Sequence, residues 1–496
     1  MNAWKLIVAG MLLVALYAGC GQQSPEETMT VASSDLAMVD GRALEAMDQV
    51  PPIVEGLGDA ASDGIDFDTV RVQVQNNQLL LRVNVNTVLS LQNYSNLQLL
   101  LDTDNDPGTG RAGGFSGVDV VWRFGQRNGL ISIDNKSESF KYGDVGIVTA
   151  PTVTSDFFEV SIPLDAAVHD HPLFPGTTVG IAFLSMPEEG GLDRIPDSGF
   201  IAVDLTADAG KPAPLSMDRT SEDAVRMVTW NILHDGIVER PEKFDPIFDV
   251  LDPDIVTLVE VWDTPAQVAA DLFDQWRPLP DGQHWHADRQ GADIIVLSKW
   301  PILECVDIPD ARATAYLLQM PQNWSSPLFV IGAHAPCCGK DEKRQKEIDA
   351  FMAFLRDARQ GSGPINVGVD TPVVITGDMN LVGLQQQLVT LVEGQIVNDA
   401  YLPAFGPDAD GTALTDLFPR HLYHNLVYTW RAEDSSYGPG KLDYIVYSDS
   451  NLEIPHSFIF DTRLLPQAKL DELGLTREAN PEASDHLPVV VDVLPR

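Results

Sequence analysis

Basic residues are scarce in this chain of 496 residues. Its 32 lysines and arginines stand against 72 aspartates and glutamates, which gives a formal net charge of -40. Such a surface repels polyanions at long range, so tight non-specific binding to duplex DNA or RNA is not expected. A nucleic-acid substrate stays compatible with this charge, because a bound divalent metal and a local basic patch can reverse its sign inside a cleft.

Long apolar runs are also rare, and no segment after the first twenty residues is long and apolar enough to cross a membrane. The run from Leu6 to Leu16 follows Lys5 and ends in Tyr17-Ala18-Gly19-Cys20. It resembles the lipobox of bacterial lipoproteins, which implies a signal peptide over residues 1–20 and a lipid on Cys20. We therefore expect an exported protein of the bacterial cell envelope, attached to the membrane by its lipid alone. An ordinary secretory signal with an incidental cysteine is the alternative.

Cysteine is the third scarcity, since only Cys305, Cys337 and Cys338 follow Cys20. Outside the cytoplasm an odd number predicts one disulfide and a free thiol. Adjacent cysteines bond to each other only through a strained turn, so we expect Cys305 to pair with one of the other two. The spacing lacks the paired ligands of a structural zinc site.

The N-terminal half has the pattern of an all-β domain. Residues 21–45 are rich in Ser, Glu, Gln and Thr and predict a flexible tether. From 46 to 210, short runs alternate apolar and polar residues, and Val70–Val74 and Leu79–Val85 flank an Asn76-Asn77 turn that predicts a hairpin. Helical periodicity is nearly absent, so a β-sandwich is predicted.

One loop of this predicted sandwich is rich in aspartate. Asp102, Asp104 and Asp106 alternate, Asp119 follows, and such oxygens can bind one hard cation such as Ca²⁺. The loop and the strand pattern resemble carbohydrate-binding-module-type sandwiches, which implies glycan binding as a further expectation. An Asp-rich turn that binds no ligand is the alternative.

After a linker over residues 211–222, the pattern changes to that of an α/β domain over 223–496. Near-continuous apolar runs such as Ile255–Val259 and Val373–Thr376 predict strands buried on both faces. Apolar residues recur at helical spacing over Lys340–Ala358. Strands of this kind with covering helices predict a layered α/β arrangement.

Polar side chains with catalytic chemistry follow or precede these apolar runs. They are Asn231 in Thr229-Trp230-Asn231, Glu260, His334, Asp378 and Asn380 in Gly377-Asp378-Met379-Asn380, Asp443 in Leu442-Asp443-Tyr444, and Asp485-His486 before Leu487-Pro488. In this order the set resembles the endonuclease/exonuclease/phosphatase superfamily. The resemblance covers residues 223–496 and implies a four-layer sandwich of two β-sheets flanked by helices.

The resemblance also implies roles for these residues in hydrolysing a phosphoester, a reaction that must activate water and stabilise charge on phosphoryl oxygens. Glu260, Asn231 and Asp485 are expected in the shell of Mg²⁺ or Mn²⁺. Asp378 is expected to orient or deprotonate water, and Asn380 to hydrogen-bond the phosphate.

Two histidines complete the implied site. His486 is expected beside the scissile phosphate, as a general base or a phosphate-polarising group, and Asp443 is expected to orient it. His334 matches the second histidine of the deoxyribonuclease-like, sphingomyelinase-like and phosphoinositide-phosphatase-like branches, where the abasic-site repair branch has Tyr. How Asp378 and His486 divide the role of base stays open.

Three cations are candidate substrate contacts: Lys340, Arg344 and Arg431. A solvated helix face is the alternative for the first two. His234, His284 and His286 match no element of the superfamily and are interpreted as structural.

We therefore predict an exported, lipid-anchored, metal-dependent hydrolase of phosphoester bonds, chiefly phosphodiesters. Its substrate class is a nucleic acid, a phospholipid head group or a small phosphodiester. The alternatives are a phosphomonoesterase of the same fold and a non-catalytic surface lipoprotein that binds glycans.

Overall fold

The computed structural model describes residues 36–42, 47, 50–54, 58, 64–93, 95–106, 108–134, 136–186 and 192–496. The predicted signal peptide, Cys20 and most of the predicted tether lie outside these residues. Residues 36–42, at the end of that tether, are packed, and the amide of Val39 donates to the carbonyl of Asn425 at 3.0 Å. Within the described ranges, no helix combines the length and apolar character needed to cross a bilayer.

Fourteen strands and one short helix form the N-terminal part of the described chain. They are β1 (Ile53–Val54), β2 (Phe67–Gln75), β3 (Gln78–Leu89), β4 (Leu97–Asp102), β5 (Val120–Arg123), β6 (Asn128–Ile133), β7 (Lys136–Phe140), α1 (Tyr142–Val145), β8 (Val148–Ala150), β9 (Ser155–Pro163), β10 (Ala167–Val168), β11 (His171–Pro172), β12 (Thr178–Ser185), β13 (Asp193–Ile195) and β14 (Ile201–Asp204). One sheet has the order β1-β2-β3-β9-β8 and the other β13-β12-β4-β5-β6-β7, with β14 also paired to β12.

These two sheets form the predicted sandwich. The β2–β3 hairpin turns at Asn76 and Asn77, both with φ in the left-handed region, which asparagine tolerates better than most residues. One apolar cluster includes side chains of both sheets, such as Leu81 of β3 and Phe183 of β12. Burial between the sheets therefore stabilises the sandwich.

The C-terminal part contains twelve strands and seven helices. They are β15 (Val225–Asn231), α2 (Gly236–Glu239), α3 (Pro241–Leu251), β16 (Ile255–Val259), α4 (Ala266–Trp276), β17 (His286–Asp288), β18 (Ile294–Ser298), β19 (Ile302–Asp307), β20 (Ala313–Leu318), β21 (Leu328–His334), α5 (Asp341–Arg359), β22 (Val373–Asp378), α6 (Gln385–Glu393), β23 (Thr415–Asp416), β24 (Asp443–Tyr447), β25 (Leu452–Ile459), α7 (Gln467–Leu473), α8 (Ala479–Ala483) and β26 (Val489–Pro495).

Two six-stranded sheets lie face to face in this part, with strand orders β17-β18-β16-β15-β26-β25 and β19-β20-β21-β22-β24-β23. Met227 of β15 and Val330 of β21 belong to the apolar cluster between the sheets. Trp230 of β15 packs instead with α3 and α4, and Ile331 of β21 packs with α5. Successive residues of a strand point to opposite faces, so each sheet is covered on both sides. The predicted four-layer α/β sandwich is confirmed.

A charged pair is buried within the first of these sheets. Arg226 of β15 and Asp492 of β26 are register partners. Nε and Nη2 of Arg226 donate to the two carboxylate oxygens of Asp492 at 2.7 and 2.9 Å. This bidentate pairing satisfies both charges inside the fold. The described residues between 36 and 496 belong to one compact unit.

Candidate active site

The strand directions bring the predicted catalytic residues to one edge of the two sheets. β15 and β16 run parallel, and so do β21 and β22, so Asn231, Glu260, His334 and Asp378 all lie at strand C-termini. β24 runs antiparallel to β22 and begins at Asp443, and β26 runs antiparallel to β15 and begins shortly after His486. Both strands therefore begin at this same edge. Residues far apart in the chain therefore meet because of sheet topology.

Two site residues have backbone conformations that are unusual for their type. Glu260 has φ of 64° and Asn380 has φ of 47°, a region that costs a non-glycine residue roughly 1–2 kcal/mol. The amide of Asn380 donates to Oδ1 of Asp378 at 3.0 Å, and its side-chain Nδ2 donates to the carbonyl of Ala335 at 3.0 Å. Gly377 precedes this turn with φ of 128°, and a Cβ there would lie 2.1 Å from the carbonyl oxygen of Ala333. Only glycine fits at that position.

Asn231 lies at the centre of the site. Its Nδ2 donates to Glu260 at 3.0 Å and to Asp378 at 3.1 Å, and lies 3.4 Å from Nε2 of His486. Its amide oxygen accepts instead from the backbone of Leu233 at 3.1 Å. In this arrangement Asn231 contributes a donor that holds two carboxylates together, rather than an oxygen facing the cleft.

His486 and Asp443 form a buried pair. Nδ1 of His486 lies 2.8 Å from Oδ2 of Asp443, and Nε2 lies 3.7 Å from Oδ2 of Asp378. Burial by itself lowers the pKa of His486, but the charges of Asp443 and Asp378 outweigh it and raise the pKa to about 10. Asp443 is itself positioned by its amide, which donates to Oγ1 of Thr429 at 2.8 Å. The partner of His486 is thus Asp443, as predicted.

A second histidine lies near the same oxygen of Asp378. Nε2 of His334 lies 3.7 Å from Oδ2 of Asp378, and its Nδ1 lies 2.6 Å from Oδ2 of Asp293. Burial opposes charging of His334, but the bond to Asp293 and the charge of Asp378 raise its pKa. Burial, together with Asp443, also raises the pKa of Asp378 to about 6, although the charge of His486 opposes this.

Asp293 was missed in the sequence analysis. It directly precedes β18, so the available signal was an acid next to a buried strand, the same signal that marks Asp443. Trp262 was also missed, and it packs edge-on to His334 with ring centroids 6.1 Å apart. His234, interpreted as structural, stacks on Trp262, and its amide donates to Glu260 at 3.2 Å.

The carboxylate oxygens of the site are suitable ligands for a hard divalent cation. Within the described part of the chain, Oδ1 of Asp443 and Oδ1 of Asp485 are buried without a hydrogen-bond partner. Ligand atoms of Asp378, Asp443 and His486 lie within 4.8 Å of one another. Glu260 and Asp485 line the cleft, and carboxylate oxygens are the ligands that Mg²⁺ and Mn²⁺ prefer.

These side chains open into a cleft of about 490 Å³. Its lining includes most of the predicted residues, namely Glu260, His334, Lys340, Asp378, Asn380, Asp485 and His486. Asn231 and Asp443 lie behind this surface and act through their neighbours. Trp430, another residue missed from the sequence, also lines the cleft, and its Nε1 donates to Oδ2 of Asp485 at 2.9 Å.

Of the three candidate substrate cations, only Lys340 lines the cleft. Arg344 is fully buried, so its predicted substrate contact is wrong. Its guanidinium donates to Gln387 at 2.7 Å and to the carbonyl of Pro336 at 2.6 Å, which fixes the turn before α5. Arg431 does not line the cleft and is paired with Glu433 at 2.8 Å.

The expected disulfide to Cys305 is not formed, because all three described cysteines are free thiols. The sulfur atoms that meet are those of Cys337 and Cys338, 2.7 Å apart and exposed at the cleft. Cys305 lies on β19, which separates it from this pair. The expectation rests on the strain of a turn between adjacent cysteines, and the sequence does not show which turn the chain adopts there.

The Asp-rich loop of the sandwich brings three of its four aspartates together. Carboxylate oxygens of Asp102, Asp104 and Asp119 lie within 4.8 Å of one another. Burial, together with Asp119 and Asp104, raises the pKa of Asp102 to about 6. Asp106 bonds locally, accepting from the amide of Gly108 at 2.8 Å. Calcium at this loop stays a prediction.

Comparison with known proteins identifies the C-terminal part. The model of a family described as "Endonuclease/Exonuclease/phosphatase family" matches residues 228–486, just over half of the chain. No curated protein matches the chain by sequence. The matched residues include Asn231, Glu260, Asp293, His334, Asp378, Asn380, Asp443, Asp485 and His486.

Several solved structures are similar to part of this chain at low identity. D. rerio TDP2 in complex with a single-strand DNA product is 15% identical, with a TM-score of 0.35, covering 55% of this chain and 100% of that one. The human Nocturnin catalytic domain is 17% identical, with a TM-score of 0.33, covering 57% and 97%. Sphingomyelinase C from Streptomyces griseocarneus is 14% identical, with a TM-score of 0.31, covering 54% and 99%. Likenesses this distant transfer neither substrate nor mechanism to this chain.

Proposed function

This chain belongs to the endonuclease/exonuclease/phosphatase family, and on that premise we propose that it is a divalent-metal-dependent phosphodiesterase of the cell envelope. Hydrolysis of phosphoester bonds is the activity general to the family, and cleavage of diesters is the more specific part of the proposal. The observation that carries the proposal is the arrangement around Asp378, whose Oδ2 lies 3.7 Å from Nε2 of each of two carboxylate-paired histidines.

The pKa directions divide the chemical roles. Neighbouring carboxylates raise the pKa of His486 to about 10 and also raise the pKa of His334, which favours the cationic imidazoles that can donate to phosphoryl oxygens or to a leaving group. Asp378, with a pKa of about 6, is mostly ionised at neutral pH and can accept a proton from water. The base is therefore Asp378, and His486 polarises the phosphate.

A divalent cation held by Glu260 and Asp485 would supply positive charge against the phosphate. Asn231 keeps Glu260 and Asp378 side by side through its two donated bonds. Asn380, held by the carbonyl of Ala335, lies at the cleft surface beside Asp378. A diester carries a single negative charge, and the described lining of the cleft has one arginine and one lysine to meet it, Arg312 and Lys340.

Export and lipid attachment at Cys20 belong to the same proposal. The support is the signal-like segment over residues 1–20 and the polar segment that follows it. Expression in a bacterium with radiolabelled palmitate should label the native protein and leave Cys20→Ser unlabelled. Label retained on Cys20→Ser, or absent from the native protein, would contradict lipid attachment at this residue.

Enzyme assays test the catalytic proposal. Protein starting after residue 20 should hydrolyse bis(p-nitrophenyl) phosphate with Mg²⁺ or Mn²⁺, and EDTA should abolish the activity. His486→Ala should lower kcat by about 10³-fold. The matched control is His284→Ala, which removes an exposed histidine paired with Asp274 outside the cleft. It should retain full activity.

The same assay separates the alternatives. Faster turnover of p-nitrophenyl phosphate than of the diester would indicate a phosphomonoesterase. Cleavage of plasmid DNA at a comparable rate would indicate a nuclease. Absence of EDTA-sensitive activity on all three substrates, or equal activity of His486→Ala, would exclude the proposed hydrolase for these substrate classes.

A further inference from the structure

One wall of the cleft comes from outside the family match. Gln92, Asn93 and Thr152 of the N-terminal sandwich line the same cleft as Asp378 and His486. Gln92 and Asn93 lie in the connection between β3 and β4, and Thr152 lies between β8 and β9. The family model begins at residue 228. The sandwich is therefore part of the boundary of the site.

The sandwich holds the loop of residues 431–440, which follows Trp430 and precedes β24. The amide of Gly438 donates to Oε1 of Gln92 at 3.0 Å, and the hydroxyl of Tyr437 donates to Oδ1 of Asn93 at 3.2 Å. Gly438 lies directly on the ring of Tyr142, where an added Cβ would come within 2.6 Å. A loop without helix or strand is thus fixed at two successive residues.

Arg127 contacts both members of the Tyr437–Asn93 pair. Its guanidinium lies 4.2 Å from the centroid of the Tyr437 ring, and its Nη1 donates to Asn93 at 3.2 Å and to the carbonyl of Gln92 at 3.2 Å. Cation and ring attract each other in this geometry. The Tyr437 side chain is therefore held at its hydroxyl by Asn93 and at its ring by Arg127, while 37% of the residue stays exposed.

A second seam joins the sandwich to the opposite side of the cleft. Oγ1 of Thr152 donates to the carbonyl of Leu381 at 2.6 Å, and the amide of Thr154 donates to the carbonyl of Gly383 at 2.8 Å. Leu381 follows Asn380 directly. The sandwich thus fixes both the aromatic loop and the segment that carries the catalytic turn.

We propose that the sandwich is a fixed wall of the catalytic cleft and that Tyr437 recognises an uncharged ring in the organic group of a small phosphodiester. Gln92, Asn93 and Arg127 are positioning residues, since their polar atoms hold the loop. The proposal rests on the proposed phosphodiesterase function and names its substrate class.

Three observations favour this class over a polynucleotide. The sandwich residues and the loop that they hold line the cleft with amide, hydroxyl and aromatic groups, whereas a polynucleotide needs a row of cations along its backbone. The volume of about 490 Å³ is that of a small-molecule site. An exposed tyrosine face held rigid suits stacking against a ring at low entropic cost.

The experiment compares two diesters with the same leaving group. Bis(p-nitrophenyl) phosphate has a ring on both sides of phosphorus, and methyl p-nitrophenyl phosphate has one on the leaving side only. Tyr437→Ala should lower kcat/KM about fivefold to tenfold more for the first than for the second, with most of the effect on KM. Tyr437→Phe keeps the ring and loses only the hydroxyl bond to Asn93, so it should lose less than Tyr437→Ala, and Ser139→Ala, an exposed change on β7, should alter neither ester.

The positioning role of Asn93 is measured by hydrogen exchange, which needs no catalytic activity. In Asn93→Ala, hydrogen exchange of residues 431–440 should be at least tenfold faster than in the native chain, whereas Ser139→Ala should leave it unchanged. Unchanged exchange in Asn93→Ala, or equal loss on both esters in Tyr437→Ala, would overturn the proposal. If neither ester is hydrolysed, the affinity for bis(p-nitrophenyl) phosphate is measured by calorimetry for the native chain and for Tyr437→Ala. Weaker binding by Tyr437→Ala supports ring recognition while the hydrolase proposal fails, and equal binding refutes both.

Discussion

Asp443→Asn tests whether the buried His–Asp pair is catalytic. The substitution keeps the shape of a side chain that lies 2.8 Å from Nδ1 of His486 and removes its charge. Because the carboxylate stabilises the protonated imidazole, its loss must lower the pKa of His486 from about 10 towards its ordinary 6.5. Asp378 remains and continues to support part of the shift.

The expected magnitude follows from the two carboxylates that share this effect. Loss of one close opposite charge lowers a pKa by about 1–2 units, which is about 1.4–2.7 kcal/mol of lost support for the imidazolium. An asparagine amide can also donate to Nδ1 and shift the imidazole to the wrong tautomer, which costs further rate. We expect kcat to fall about 100-fold, with KM nearly unchanged.

The assay is the pH profile of kcat/KM on bis(p-nitrophenyl) phosphate from pH 5 to 10.5 at saturating Mg²⁺. Activity should rise through about pH 6 as Asp378 ionises, and fall towards about pH 10 as His486 loses its proton. In Asp443→Asn the falling limb should move to lower pH by about 1–2 units. The matched control is Asp274→Asn, which alters an exposed Asp–His pair with His284 at 2.8 Å and should leave the profile unchanged.

Two results would refute this reasoning. A kcat within threefold of the native value, alongside a large loss in His486→Ala, would show that the histidine works without its carboxylate. A rising limb that moves while the falling limb stays would show that His486 is the base and that the roles assigned to the two groups are reversed.

Three further predictions concern the second histidine, the buried charge pair and the thiols. Asp293→Asn should lower the pKa of His334 and reduce kcat about tenfold, seen as an earlier falling limb, and a profile like the native one would contradict the pairing. Asp492→Ala leaves a buried arginine unpaired and should lower the free energy of unfolding by about 3–5 kcal/mol in urea titrations, whereas a loss under 1 kcal/mol would contradict it. Iodoacetamide should modify the exposed thiols at 337–338 at least tenfold faster than half-buried Cys305, whose pKa burial raises, and equal rates by mass spectrometry would show that Cys305 is accessible.

Most of the catalytic set could be predicted because each member has a local signal. Asp378 and His486 lie beside apolar strands in short recognisable motifs, and the strand pattern itself predicts both domains' architecture. Arg344 shows the limit of such reasoning. Its place in a basic stretch of a predicted helix suggested a substrate contact, with a solvated helix face as the alternative. Its guanidinium is instead buried and donates to Gln387 and to the carbonyl of Pro336.

The sequence by itself determined the chemistry of this protein: which acids, amides and histidines are available, and which strand ends carry them. Tertiary structure alone decided which pairs meet. Asp293 orients His334 across 41 residues, and Asn93 holds Tyr437 across 344 residues. Neither pair has a local pattern, because each depends on sheet register and on how the sandwich packs against the α/β layers. Those contacts are set by burial and geometry summed over the whole fold, and so the wall of the cleft became visible only in three dimensions.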